Sequence, residues 1–319
     1  MKVSQLVPAT LLLGACALHA QGETRAAILL TLPASARALA LGEASGAVMD
    51  DENALFYNPA QLARVRTVSA AASLQRYIAN TTLSAFAIAE RVGGGTAALG
   101  VQLLDYGSED EVVSTAGDIG TPTGQRVTAQ DIAITAGYGV ALGSRKEWRI
   151  GTALKWVRQH VANASGSALA VDMGAAYSSS RGWELSAALQ NFGSRLTLVA
   201  VSAPLPYTWR VSAASPLVRG LLGEALALRA MVEARQSSGG VVTGVLGTEG
   251  LWQTGRKGLT LAGRAGLSFR GPDDDRRPLT VGGGLTLGSV TVDYGYEGFD
   301  QLGATHRVGV RFAAPSRGP

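Results

Sequence analysis

A two-residue hydrophobic rhythm, repeated along the chain after Thr67, restricts its fold more than any other feature. In Glu147–Trp156, Trp148, Ile150, Leu154 and Trp156 share one face, while Glu147, Arg149, Gly151, Ala153 and Lys155 share the other. The same alternation runs through 131–142, 259–270 and 290–297. Successive side chains of a strand point to opposite faces, so each stretch reads as a strand with one apolar side. The other side is unusual. It carries Gly, Ala, Thr and single charges, where a soluble sandwich would show many Lys, Glu and Thr. Charged residues are 16% of the chain and Gly occurs 41 times in 319 residues, against usual shares of roughly 25% and 7%. A small, mixed face suits a crowded interior and leaves the apolar face to meet lipid. Mean hydropathy is only +0.16, as expected for a wall that is apolar at every second residue.

Short turns separate the segments at Gly143–Lys146, Ser180–Gly182, Gly255–Gly258 and Gly288–Ser289, and they suit tight hairpins. Longer polar stretches, 107–126 and 271–278, read as extended loops of the opposite end. Segments between Thr67 and Phe312 number about fourteen, each of a length that crosses a bilayer when tilted. An open sheet edge in lipid leaves backbone groups unpaired, so the sheet must close. The expected fold is therefore all-β: a closed antiparallel transmembrane β-barrel over 67–312, with a tail at 313–319. Trp148, Trp156, Trp183, Tyr207, Trp209, Trp252, Tyr294 and Tyr296 fall near expected strand ends, as interfacial girdles do. The last strand alternates Val308, Val310 and Phe312, which resembles the terminal signal read by the barrel-assembly machinery, although Ala313–Pro319 follow it.

The N-terminus reads as an export signal over 1–20. Lys2 precedes an apolar run from Leu6 to Leu18, too short to span a bilayer, and small residues place cleavage near Ala17 or Ala20. Leu13-Gly14-Ala15-Cys16 also resembles a lipoprotein box, with Cys16 as the lipidated residue. Residues 21–66 lack the two-residue rhythm of the later chain. Ala34–Ala40 and Ala54–Phe56 have helical composition, and Pro59 stands at a permitted first helical position after Asn58. This region is expected to form short helices and loops.

Several chemistries find no support. The net charge of +4 is scattered without a Lys/Arg run, so nucleic acid is not an expected partner. Cys16 is the single cysteine, and His19, His160 and His306 are the only histidines. Asp50-Asp51-Glu52 reads as a solvated loop or a helix N-terminal charge rather than a metal site. No phosphate-binding glycine loop and no nucleophile elbow appear. A hydrolase would have to use His160 or His306, which read as strand-end or lumen packing. No enzymatic activity, metal or cofactor is expected.

Two stretches carry a resemblance. Ala36-Arg37-Ala38-Leu39-Ala40-Leu41-Gly42-Glu43-Ala44, continuing through Asp50-Asp51-Glu52-Asn53-Ala54-Leu55-Phe56-Tyr57-Asn58-Pro59-Ala60-Gln61-Leu62-Ala63, resembles the N-terminal signature of the PorV/PorQ family. Val292–Tyr296 followed by Leu302–Arg307 resembles that family's closing hairpin. Leu41 stands where Met is usual, and Glu43 and Gln61 where Gly is usual. That family is similar to FadL-type fatty-acid transporters. The resemblance implies fourteen strands with the N-terminal segment folded inside as a hatch, Asn53, Asn58, Pro59 and Ala60 forming its motif. It further implies docking of secreted cargo or a surface protein in type IX secretion. A FadL-like passive channel, with a hydrophobic ligand in its lumen, is the alternative. Outer-membrane lipid is the expected surrounding of either.

Overall fold

The computed structural model describes residues 25–113, 120–271 and 274–315. The expected signal segment and Cys16 lie outside the described residues. The barrel has fourteen strands: β1 Ser69–Arg76, β2 Thr82–Val92, β3 Gly95–Val113, β4 Thr121–Leu142, β5 Trp148–Val161, β6 Ala164–Ser178, β7 Glu184–Gly193, β8 Thr208–Ala214, β9 Leu226–Ser237, β10 Thr243–Gln253, β11 Leu259–Phe269, β12 Arg276–Leu287, β13 Val290–Phe299 and β14 Ala304–Ala313. Each pairs antiparallel with its sequence neighbours, β8 meets β9 directly, and β1 pairs with β14 from Ser69↔Ala313 to Arg76↔His306. That last ladder closes the sheet and removes both edges. A backbone group left bare in hydrocarbon would cost several kcal/mol. The last strand ends at Ala313, one residue beyond Phe312.

The end holding Ser69 and Ala313 is called the base, the other the rim. All four short turns named from sequence lie at the base, and the described residues of both long polar stretches lie at the rim, where 276–278 already belong to β12 rather than to a loop. The contrast has exceptions, since 215–225 is a longer base connection and 162–163 a tight rim turn. One reading is corrected. Residues 107–113 and 121–126 are not loop but continuations of β3 and β4, paired through two register shifts. Both faces of this arm are exposed or half-buried. It has no interior to pack against, so its alternation disappears and its sequence looks like loop.

The rhythm read from sequence sorts the side chains as expected. Ile150, Leu154, Leu267, Val292 and Val310 are exposed on the outer surface, while Arg149, Lys155, Arg264, Ser268 and Asp293 are buried in the lumen. Trp148, Trp183 and Trp252 stand exposed toward the base and Tyr207 toward the rim. Tyr294 instead lies mid-strand, where Asp293 and Gly295 around it pair with β12 and β14. Among the described residues, no helix is long and apolar enough to cross a membrane.

The lumen is filled by the chain's own N-terminal segment, which contains a helix, α1 (Ala36–Ala40), and 3-10 turns at Ile28–Thr31, Glu52–Phe56 and Pro59–Arg64. Side-chain caps start α1 and the last two of these turns. Ser35 Oγ accepts from Ala38 N at 3.1 Å, Asp51 Oδ1 from Asn53 N at 3.0 Å and Asn58 Oδ1 from Ala60 N at 3.0 Å. Pro59 follows its cap, where its missing N–H costs nothing. Gly42 (φ 62°) and Glu43 (φ 70°) turn the chain after α1. Every residue from Leu32 to Met49 and from Asp51 to Leu62 is buried.

Candidate functional site

The hatch lies close to the wall because the wall's inward glycines leave room. A Cβ on Gly151 would fall on the Pro59 carbonyl, one on Gly174 on Asn58 Oδ1, and one on Gly266 on the Leu41–Gly42 backbone. Asn58 Nδ2 also donates to the Ala175 and Ala187 carbonyls, each at 3.3 Å. Asn58, Pro59 and Ala60 therefore seat the hatch against β5, β6 and β7. Asn53 sits one turn earlier, its N–H on the Asp51 cap and its Nδ2 at 3.5 Å from Glu52 Oε1. Val308, Val310 and Phe312 lie on the outer surface of β14.

Charge holds the hatch across the lumen. Glu249, fully buried on β10, accepts two bonds from Arg37 of α1 (3.0 Å each), one from Arg264 (2.8 Å) and one from Arg229 (2.5 Å). Arg37 also meets Asp50 and Asp51, and Arg311 of β14 reaches Asp51 at 3.2 Å. The acidic triplet is thus corrected in part. Asp51 caps a turn as expected, but it and Asp50 are ion-paired rather than merely solvated. Among the described residues, no three His, Cys, Asp or Glu form a group that could hold a metal.

Nearer the lumen centre, Arg210 binds Glu233 (2.7 Å), Gln190 (2.8 Å) and Glu43 (3.4 Å), and its guanidinium lies 5.5 Å from the Tyr57 ring centre. Arg235 also reaches Glu43 at 3.4 Å, and Gln61 Nε2 donates to the Gly46 carbonyl at 3.2 Å. Glu43 and Gln61 depart from the glycines of the resembled signature, yet each finds a partner here. Arg307 is buried on β14. It donates to the carbonyls of Pro33 (2.6 Å) and Ala34 (2.7 Å), to Gln75 Oε1 (2.9 Å) and to Ser73 Oγ (2.8 Å). Tyr57 Oη accepts from Ala34 N and Ser35 N, closing the joint.

The motif is legible in the sequence, but this lattice is not. Its signal was there: single charges at inward positions of β10, β11, β13 and β14, namely Glu249, Arg264, Asp293 and Arg311. Their partners cannot be read without the register. His306, third in β14, and His160, next to last in β5, sit near strand ends as expected; His306 faces outward, its Nδ1 2.7 Å from Tyr294 Oη, and shares no site with half-buried His160.

Glu52 is the carboxyl least provided for. It is fully buried and its Oε2 has no hydrogen-bond partner. Burial, then the neighbouring Asp51 charge, pushes its pKa up to about 7. With a folded value above the unfolded one, the contribution of Glu52 to hatch stability is fully present below the unfolded value and is lost as pH rises through 7. Glu52→Gln should abolish that loss, raising stability at pH 8 by on the order of 2 kcal/mol. Urea midpoints of the detergent-solubilised barrel at pH 5 and pH 8 check this: equal pH slopes for both proteins would contradict it.

The filled lumen has two mouths. At the rim, a cleft of about 520 Å³ is lined by Tyr77, Ile78, Val241, Phe299 and Leu302 with Asp274 and Arg276, and Ile28, Thr31 and Leu32 of the hatch line it too. Below, Ala26, Leu29 and Leu32 fill an apolar compartment with Leu83, Leu104, Val157, Leu196 and Leu205. The hairpin Leu196–Leu198/Val201–Ala203 packs beside it. At the base, two adjoining polar cavities share Asp50, Arg64 and Glu184.

A closed antiparallel barrel of fourteen strands, with a few small helices gathered mainly in its N-terminal segment, is the FadL-like outer-membrane barrel fold. No family model and no curated protein matches the chain. Solved structures do. The Ralstonia pickettii toluene transporter TbuX is similar at TM-score 0.56 and 12% identity, covering 88% of this chain and 98% of its own. A Pseudomonas aeruginosa FadL homologue is similar at TM-score 0.57 and 10% identity, with the same coverage. The P. putida toluene transporter TodX is similar at TM-score 0.55 and 11% identity, over 88% and 97%. At such identities the likeness is one of fold. It does not reach the narrower PorV/PorQ resemblance or type IX secretion.

Proposed function

We propose that this protein is a non-enzymatic outer-membrane channel for hydrophobic small molecules, entered from the rim. The observation that carries this reading is the rim cleft, whose apolar lining includes the start of the hatch itself. A ligand leaving water for that cleft gains roughly 25 cal/mol per Å² of apolar surface buried. To go further it must displace residues 26–32. These residues are held mainly by apolar packing, with Ala26 N donating to the Pro204 carbonyl at 3.2 Å. The rest of the hatch is clamped by the charge lattice. Local opening of the weakly held start is therefore the cheapest path. The belt of exposed apolar residues supports membrane embedding, and the names of the fold neighbours, toluene transporters, support an apolar cargo.

Uptake tests the proposal. Cells carrying Ile78→Asp/Leu302→Asp should take up monoaromatic hydrocarbons or fatty acids several-fold more slowly, with unchanged barrel in the membrane. Uptake unaffected by gene deletion, across aromatics and fatty acids alike, would sink the channel reading.

Docking of cargo or a surface protein, implied by the PorV/PorQ resemblance, is the second reading. Its support is a pair of exposed apolar tips, Val199 and Val201 at the rim and Leu221 and Leu222 at the base. Crosslinking in intact outer membranes that captures no specific protein argues against it. On either reading, β14 with Val308, Val310 and Phe312 is the proposed contact for the assembly machinery.

A further inference from the structure

The base mouth differs from the rim in chemistry, and the channel reading makes no use of that difference. We propose that it is an oxyanion-binding chamber, taking a carboxylate or phosphate group. The chamber consists of two adjoining cavities of about 660 and 610 Å³. With Arg64 counted once, nine Arg and Lys side chains line them against three carboxylates, Asp50, Glu184 and Glu249. Asp51 and Asp293 pair with three of these cations from behind the lining. Nine cations against five carboxylates leaves an excess of four. A cleft lined by one sign of charge concentrates its field and draws in the opposite ion.

The guanidinium groups have donors to spare. Arg149 is 5% exposed and binds Glu184 at 2.6 Å, yet its Nε has no acceptor. Arg229 binds Glu249 through Nη2, and its buried Nε likewise has none. A buried donor left without an acceptor is unfavourable, and a charged acceptor makes the stronger bond. At the opening, exposed Arg66, Arg91 and Lys146 line the same cavity, and none makes a close ion pair with a described carboxylate. They form an outer ring and the deeper arginines an inner one. Guanidinium forks match the paired oxygens of carboxylate and phosphate. Such an anion has two sources, the head of an amphipathic molecule or a free phosphate. This chamber stands apart from the rim cleft, and anion binding there requires no transport.

Calorimetry on the purified mature protein in zwitterionic detergent tests it, with inorganic phosphate, octanoate and, as neutral control, octanol. At least one anion should bind saturably, and its affinity should fall as salt rises from low to physiological strength. Arg66→Gln/Arg91→Gln/Lys146→Gln, which touches no buried pair, should weaken that binding roughly tenfold or more, a loss of about 1.4 kcal/mol per tenfold step. Heat-modifiable gel mobility shows that the triple variant keeps its barrel. Phosphate binding identifies a free oxyanion as ligand, and octanoate binding without phosphate binding identifies an amphipathic head. Octanol binding as well as octanoate, no saturable heat with either anion, or affinity unchanged in the triple variant would each overturn the proposal. Uptake through the rim is unaffected by any of these outcomes, so this proposal and the channel reading fail separately.

Discussion

Glu249→Ala should release the hatch from the wall and produce the largest loss of stability of any single substitution in the lumen. Three guanidinium groups, from Arg37, Arg229 and Arg264, converge on this one buried carboxylate. Removing one partner of a buried ion pair costs about 3–5 kcal/mol, because the charge left behind has no counterpart. Here three are left, although Arg264 keeps Asp293 at 2.6 Å and Arg37 keeps Asp50 and Asp51. Arg229 loses its only ion pair among the described residues. The expected result is a drop of at least about 3 kcal/mol in stability and faster hydrogen exchange across α1. Glu249→Gln, which keeps the shape and one acceptor, should be milder. Adding Arg229→Met to Glu249→Ala should recover part of the loss, since it removes the cation that the first change leaves unpaired. Hatch amides that exchange at the parent rate in Glu249→Ala would contradict this.

Arg307→Ala should have the second-largest effect, through a different mechanism. Among the described residues no carboxylate lies within ion-pair distance of Arg307. Its charge is spent on the carbonyls of Pro33 and Ala34, on Gln75 and on Ser73. Alanine leaves both carbonyls and the Gln75 oxygen buried without these donors, at about 1–3 kcal/mol for each unsatisfied group. The joint between β14 and the entry to α1 should open, with a total cost of roughly 3–5 kcal/mol. Lysine, a single point donor in place of a planar fork, should restore less than half. Hydrogen exchange at Ala34–Leu39 reads the effect directly, and urea unfolding of the barrel in detergent gives its size.

The wall was legible in the sequence because its cause is local. A strand with lipid on one side and a crowded interior on the other must alternate, and Trp148–Trp156 shows this without any knowledge of its neighbours. The hatch was legible through its caps and its resemblance: Asn58-Pro59-Ala60 announces a turn by itself. The arm of β3 and β4 was missed, because strands that pair in water with nothing behind them need not alternate. Glu249, Arg307 and the base chamber were missed for a further reason. Their partners are as far away as residues 37 and 33, and only the register of the closed sheet brings them together. Tyr57 stood in the motif, but its role as acceptor for Ala34 and Ser35 emerges only once the hatch is folded.

Conductance in planar bilayers tests most directly whether a fourteen-stranded cylinder stands in the membrane with its bore stopped by its own N-terminal segment. The intact mature protein should insert and pass almost no steady current, and the same protein lacking residues 26–65, folded by the criterion of heat-modifiable mobility, should open a large, stable pore. A steady large pore in the intact protein, or a folded deletion variant that stays closed, would contradict the plugged barrel.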